Sequence, residues 1–231
     1  MSYFITGTDT GVGKTFISCA LMHAFSGQGI RVVGMKPVAA GCGDDNHNED
    51  VKQLRAAGNV LASYGQINPY SFHHPIAPHL AASKVGIRID FARILTSFRE
   101  LLSQADEVVV EGVGGFKVPL NEKQDTAELA QQFELPVILV VGIRLGCLNH
   151  ALLTADAIFA YRLKLAGWVA NILEPDMPVL RENIATLEQR LGAPLLGVVD
   201  YQALPDARVA ATQLNIGLLK NLIPGGNSAA D

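Results

Sequence analysis

Residues 7 to 15 read Gly7-Thr8-Asp9-Thr10-Gly11-Val12-Gly13-Lys14-Thr15, between the apolar run Tyr3-Phe4-Ile5 and an apolar-periodic stretch from Phe16 to Phe25. A strand, a glycine-rich turn and a helix in that order form a cradle for phosphate. Glycines turn backbone N–H groups inward, and the helix start adds its positive dipole end. Lys14 is placed to reach the β- and γ-phosphates of a nucleotide, and the Thr15 hydroxyl to ligate Mg²⁺. The usual G-x-x-x-x-G-K-[ST] spacing puts its first glycine at position 8, which here is Thr8, so Gly7 stands one residue early.

Two further residues stand at the ends of apolar runs. Lys36 follows Val32-Val33-Gly34-Met35 and precedes Pro37, which predicts that it projects into the region of Lys14. Two converging ammonium groups call for a strongly anionic ligand such as a triphosphate. Glu111 closes Glu107-Val108-Val109-Val110 and is followed by Gly112-Val113-Gly114-Gly115. An acid so placed near a phosphate loop serves Mg²⁺, directly or through water. The alternatives are a surface lysine at a strand edge and a capping acid. Asp50 lies in the polar stretch 44–50, where a solvated carboxylate is the default reading.

The elements that position these residues are read from periodicity. Continuous apolar runs at Phe4-Ile5, Val32–Met35, Val108–Val110, Val137–Val141, Gly167–Ala170 and Leu195–Val199 read as strands buried on both faces. Helical patterns fill the gaps at about 14–26, 49–61, 89–104, 125–133, 147–160, 178–190 and 207–221. The alternation predicts a single-domain, P-loop NTPase-like, three-layer α/β sandwich: a mostly parallel sheet with helices on both faces. Ligands of such sheets bind beyond the carboxyl ends of the strands. Residues 62–88 read as an irregular connection covering part of the site, and Pro224–Asp231 as a polar tail after a domain spanning 1–223.

Composition narrows the function classes. With 231 residues, 49% hydrophobic and 17% charged, the chain is long enough for a sizeable core. A net charge of −4 without a dense Lys/Arg cluster argues against nucleic-acid binding. Cys19, Cys42 and Cys147 are far apart and lack C-x-x-C spacing, which suits a reducing compartment rather than a disulfide framework or zinc site. Neither a signal peptide nor a membrane-length apolar run is present, so the expected setting is the cytoplasm, away from membranes. His73, His74 and His79 are broken up by prolines and suit loop packing better than metal ligation. Cys147 opens a helix but has no identifiable base beside it.

Taken in order, Thr6–Thr15, Lys36-Pro37-Val38-Ala39-x-Gly41, Asn68-Pro69-Tyr70, Val110-Glu111-Gly112-x-Gly114-Gly115, Leu135–Gly142, Leu145-Gly146-Cys147-x-Asn149-His150-Ala151 and Gly167–Asn171 resemble the dethiobiotin synthetase family. The early glycine of the first loop is how that family writes it. The resemblance spans nearly the whole chain. It implies ATP- and Mg²⁺-dependent ring closure on 7,8-diaminononanoate with CO₂, giving dethiobiotin, ADP and phosphate through a carbamate and its phosphorylated form.

By position, the resemblance makes Lys36 and Lys14 catalytic and assigns Thr15, Asp50 and Glu111 to the metal. It gives the nucleotide Gly11, Val12, Gly13, Lys14, Thr15 and Phe16 on the first loop, then Asp50, Glu111, Gly112, Val113 and Gly114. Asn171 becomes the adenine-reading amide, with Asp200 and Tyr201 nearby. Substrate contacts fall to Thr10, Lys36 and Ala40, and to Gly146, Cys147 and Asn149 at a helix N-terminus that holds the substrate carboxylate from the neighbouring subunit. A homodimer follows. Family members often have serine where Ala40 stands, and some have an acid where Gly11 stands. Gly197-Val198-Val199-Asp200-Tyr201 replaces Gly-x-Ile-Pro-x near the base, which points to relaxed base selectivity. Two rivals are an amidotransferase-type synthetase, for whose glutaminase domain the chain leaves little room, and a partitioning ATPase, whose loop carries a signature lysine at the place of Asp9.

Overall fold

A computed structural model describes residues 2–43 and 47–220. The elements run β1 (Tyr3–Gly7), α1 (Lys14–Ser26), β2 (Val32–Met35), β3 (Val38–Ala40), α2 (Glu49–Ala57), α3 (Tyr64–Ile67), β4 (Tyr70–Phe72), α4 (Pro78–Lys84) and α5 (Phe91–Gln104). They continue β5 (Glu107–Glu111), α6 (Thr126–Phe133), β6 (Val137–Ile143), α7 (Cys147–Ala160), β7 (Leu165–Ile172), α8 (Leu180–Arg190), β8 (Leu195–Val199), α9 (Ala207–Ala211) and α10 (Gly217–Lys220).

Six strands form one parallel sheet in the order β2-β5-β1-β6-β7-β8. Successive side chains on a strand point to opposite faces, so each apolar run feeds two cores. Phe4, Val108, Val110, Leu139 and Val141 face one core, where α5 to α8 pack through Ile94, Leu129, Ala151 and Ile184. Ile5, Val109, Ile138 and Val140 face the other, beneath α1, α9 and α10. Helix α2 reaches both, through Val51 to one and Leu54 to the other. These are the three layers the alternation predicts, and double-sided burial is why the strands read as continuous apolar runs.

Position 34 tolerates only glycine at this packing distance: an added Cβ would stand 2.9 Å from Leu54 Cβ and 3.1 Å from Met22 Sδ. Its absence lets α1 and α2 close over β2.

Several expected boundaries shift. The helix expected over 49–61 ends at Ala57, that over 89–104 starts at Phe91, and that over 178–190 starts at Leu180. Asn48, Asp90 and Asp206 accept from backbone N–H groups as N-caps and fix where α2, α5 and α9 begin. The pattern over 207–221 divides into α9 and α10, because Asn215 N–H donates to Leu196 O (2.7 Å) and ties the connection to β8. The connection expected to be irregular over 62–88 holds α3, β4 and α4, and β4 pairs in parallel with β3. Pro224–Asp231, expected as a tail, lies outside the described residues.

Candidate active site

The carboxyl ends of β1, β2 and β5 meet at one cavity of about 1210 Å³. Among its lining residues are Thr10, Gly11, Gly13, Lys14, Thr15 and Phe16 of the first loop and helix, with Lys36, Ala40, Asp50, Glu111, Val113 and Gly114. Residues from six separate stretches of the chain therefore converge where the sheet rule places a ligand.

Gly13 caps α1 with φ 89°, the left-handed region where a side chain is strained, and no side chain caps the helix. The first-turn N–H groups are left for an anion. Asn171, at the end of β7, donates from Nδ2 to Val12 O (2.9 Å). A Cβ on Gly13 would lie 2.2 Å from that nitrogen, so the amide seals the back of the loop.

Lys14 Nζ donates to Asp9 O (2.9 Å). Burial, and then the neighbouring Lys36 charge, pull its pKa down to about 8. Lys36 is 3% exposed and donates from Nζ to Glu111 Oε1 (2.5 Å) and Asp50 Oδ2 (2.8 Å). Burial disfavours its charge, but Glu111 and Asp50 more than offset this and hold its pKa above the usual lysine value. Burial likewise opposes ionisation of Asp50, and the Lys36 ammonium reverses the direction, leaving its pKa below the usual carboxylate value. Lys36 is thus a fixed positive charge rather than a base.

The expectation that Lys14 and Lys36 share one region holds, and Asp50 proves to be a partner of Lys36 rather than a solvated loop acid. Its position follows from Asn48, which accepts from Asp50 N–H (3.0 Å) while donating from Nδ2 to Ala40 O (3.1 Å). That one side chain fastens the start of α2 to the end of β3. Glu111 is fully buried; Oε1 also accepts from Thr15 Oγ1 (2.8 Å), and Oε2 has no hydrogen-bond partner among the described residues. A buried carboxylate oxygen left unpaired beside a hydroxyl and a second carboxylate suits a hard cation with oxygen ligands.

Other expected residues lie apart from this cluster. Gly112 is buried behind the loop, its N–H bonded to Ile5 O (2.9 Å). Asp200 is exposed, accepting from Gln213 Nε2 (2.7 Å), and Tyr201 borders a separate cavity of about 390 Å³ with Leu173–Pro178. Gly146 and Asn149 are exposed at the start of α7 and Cys147 is buried there; none lines the large cavity.

The connection over 62–88, expected to cover part of the site, supplies one wall of the cavity through Pro75 to Pro78. A second wall, Pro205 to Arg208 with His23, was not among the expected site residues. The Asp206 cap was legible as a Pro-Asp step before an apolar turn. Which part of the 62–88 connection forms the wall was not legible locally, because β4 and α4 on either side of Pro75 are positioned by tertiary pairing with β3.

A family model described as an AAA domain matches residues 1–208. The ATP-dependent dethiobiotin synthetase BioD of Nitrosospira multiformis is 54% identical over 214 residues, covering 93% of this chain and 94% of its own. That of Aromatoleum aromaticum is 53% identical over 215 residues, covering 91% and 96%. Among solved structures, the MinC:MinD cell division protein complex of Aquifex aeolicus superposes with a TM-score of 0.60 at 15% identity, covering 100% of this chain and 98% of that one. The ParA family ATPase of Chlorobium tepidum gives 0.55 at 13% identity, covering 97% and 93%. The structural likeness is one of fold. At the position where partitioning ATPases are expected to carry a lysine, this chain has Asp9.

Proposed function

The chain belongs to the dethiobiotin synthetase family, ATP-dependent ligases of biotin biosynthesis, and from that premise we propose that this cleft closes a ureido ring on 7,8-diaminononanoate with CO₂. The observation that carries the reading is the pairing of Lys14 and buried Lys36 beside an uncapped helix start in one large cavity. Two cations at one end suit a triphosphate, and the space beyond them, walled by Ala40 and Pro75–Pro78, suits an aliphatic diamine.

An uncharged amine adds to CO₂ and releases a proton to give a carbamate. A carbamate oxygen takes the γ-phosphoryl group from ATP, leaving ADP. The second amine then attacks the carbamoyl carbon, expels phosphate and closes the ring. Phosphoryl transfer gains chiefly from placement and charge stabilisation. Lys14 moves from Asp9 O to the phosphates, and the loop N–H groups hold them in line. Lys36, clamped at its ammonium, offers a positive charge that needs no reorganisation as charge develops. Thr15, Asp50 and Glu111 would hold Mg²⁺, which when bound offsets phosphate charge. The family resemblance assigns the adenine to Asn171 and the base side to Asp200 and Tyr201, which stand outside the large cavity in the single chain.

Gly146, Cys147 and Asn149 serve the partner's cleft in a cytoplasmic homodimer, the positive dipole end of α7 facing the substrate carboxylate. The exposure of Gly146 and Asn149 outside the single-chain cavity supports that division. The test is incubation with ATP, Mg²⁺, bicarbonate and 7,8-diaminononanoate, with mass spectrometry of the product. A cyclic urea and ADP, absent when either ATP or diamine is omitted, is the expected result. ATP binding without cyclic urea would refute the reading.

A further inference from the structure

Arg144 directly follows β6, whose neighbour β1 runs into the phosphate loop; Thr8 N–H donates to Val140 O (3.1 Å) at that junction. Across it, Arg144 Nη2 donates to Asp9 Oδ2 (2.9 Å). The other Asp9 oxygen, Oδ1, accepts from Thr10 N–H (2.7 Å), and Asp9 O accepts from Lys14 Nζ (2.9 Å). Arg144 O in turn accepts from Cys147 N–H (3.0 Å), the first residue of α7. One aspartate therefore joins the arch of the phosphate loop, the cation Lys14 and the segment leading into α7.

When Lys14 turns to a nucleotide, Asp9 O loses its donor. The arch from Asp9 to Gly11 then has Arg144 as its remaining tie to the neighbouring strand among the described contacts. We propose that Arg144 is a positioning residue of the ligase reaction: acting through Asp9, it fixes Thr10 at the cleft once Lys14 has moved, and fastens that arch to the start of α7. The kinetic consequence rests on the function proposed above; the mechanical one does not. Arg144 and Asp9 are half-exposed, so loss of the pair has little effect on the stability of the fold.

The test compares Arg144→Gln, Arg144→Lys, Asp9→Asn and the Asp9→Asn/Arg144→Gln pair with the wild type. Steady-state kinetics are joined to amide hydrogen exchange of the full protein bound to Mg²⁺ and a non-hydrolysable ATP analogue. Arg144→Gln is expected to lower kcat/KM for the diamine about tenfold while the analogue's Kd moves less than about twofold, and to speed exchange at Thr10 and Gly11 about tenfold. Arg144→Lys, which keeps a single charged donor, restores both to within about threefold. The double variant is no worse than Arg144→Gln alone, because the two side chains act as one unit.

Unchanged exchange and kinetics in Arg144→Gln, additive losses in the double variant, or an equal loss of analogue affinity would each overturn the proposal. If the wild type itself makes no cyclic urea, the functional reading fails, and the exchange data alone decide whether Arg144 holds the arch.

Discussion

The proposed nucleotide site has two ends built on different principles. At its phosphate end, Lys14, Lys36 and Glu111 stand at or just beyond the neighbouring strands β1, β2 and β5, and each is at most 7% exposed. At its proposed base end, Asp200 and Tyr201 follow the edge strand β8 outside the large cavity and are exposed, with Asp200 held by Gln213. Buried charges must be paired in fixed geometry, because a low dielectric penalises any misplacement. Exposed groups have water as an alternative partner and carry no such constraint. The contrast predicts steep consequences at the first end and shallow ones at the second.

The largest effect is expected for Lys36→Ala, which removes the fixed cation and leaves Glu111 buried without its partner. Ring closure should fall at least about 10³-fold, with a loss of roughly 3–5 kcal/mol in stability. Turnover per folded molecule, with folding followed by circular dichroism, checks both; near-normal turnover from the folded variant would erase the distinction between the two ends.

Within the phosphate loop, Gly13→Ala and Gly11→Ala separate steric from conformational demand. Both positions have positive φ, 89° and 75°, but a Cβ at Gly13 meets Asn171 while one at Gly11 meets nothing within 4 Å. Gly13→Ala should weaken ATP binding by about 100-fold or more, whereas Gly11→Ala carries only backbone strain of about 1–2 kcal/mol. Calorimetric titration with ATP distinguishes them, and equal losses would show that the Asn171 seal is irrelevant.

A subtler effect concerns Lys14. Its pKa of about 8 in the ligand-free fold lies below the unfolded value of 10.5. Between those pH values the unfolded chain binds the extra proton, so this group makes stability rise with pH across that window. Phosphate restores the charge, so nucleotide binding at pH 9 should take up close to one proton through Lys14, and almost none at pH 6.5. Titrations in buffers of different ionisation enthalpy measure the uptake; none at pH 9 would mean that Lys14 is already charged there.

The smallest change is expected at the base end. Asp200→Ala should shift the Kd for ATP by less than about threefold and leave its ratio to the Kd for GTP nearly unchanged. A larger shift would move Asp200 into the group of constrained residues and bring the two ends closer in kind.

The amino-acid pattern by itself determined the six-stranded core, helix α1 over 14–26, helix α7 over 147–160, the phosphate loop and the pairing of Lys36 with the Lys14 region. These are local signals: double-sided apolar runs, a glycine turn, and charged residues stranded at the ends of buried strands. Tertiary structure alone decided that Asp50 clamps Lys36, that β3 and β4 pair, and that Arg144 reaches Asp9. Strands β3 and β4 are three residues long, below the length at which periodicity is readable, and α4 packs against both. The two ion pairs join residues 14 and 135 positions apart. A charge in a polar loop has the same local signature whether it meets water or an opposite charge, and only the packed sheet brings the partner within hydrogen-bond reach.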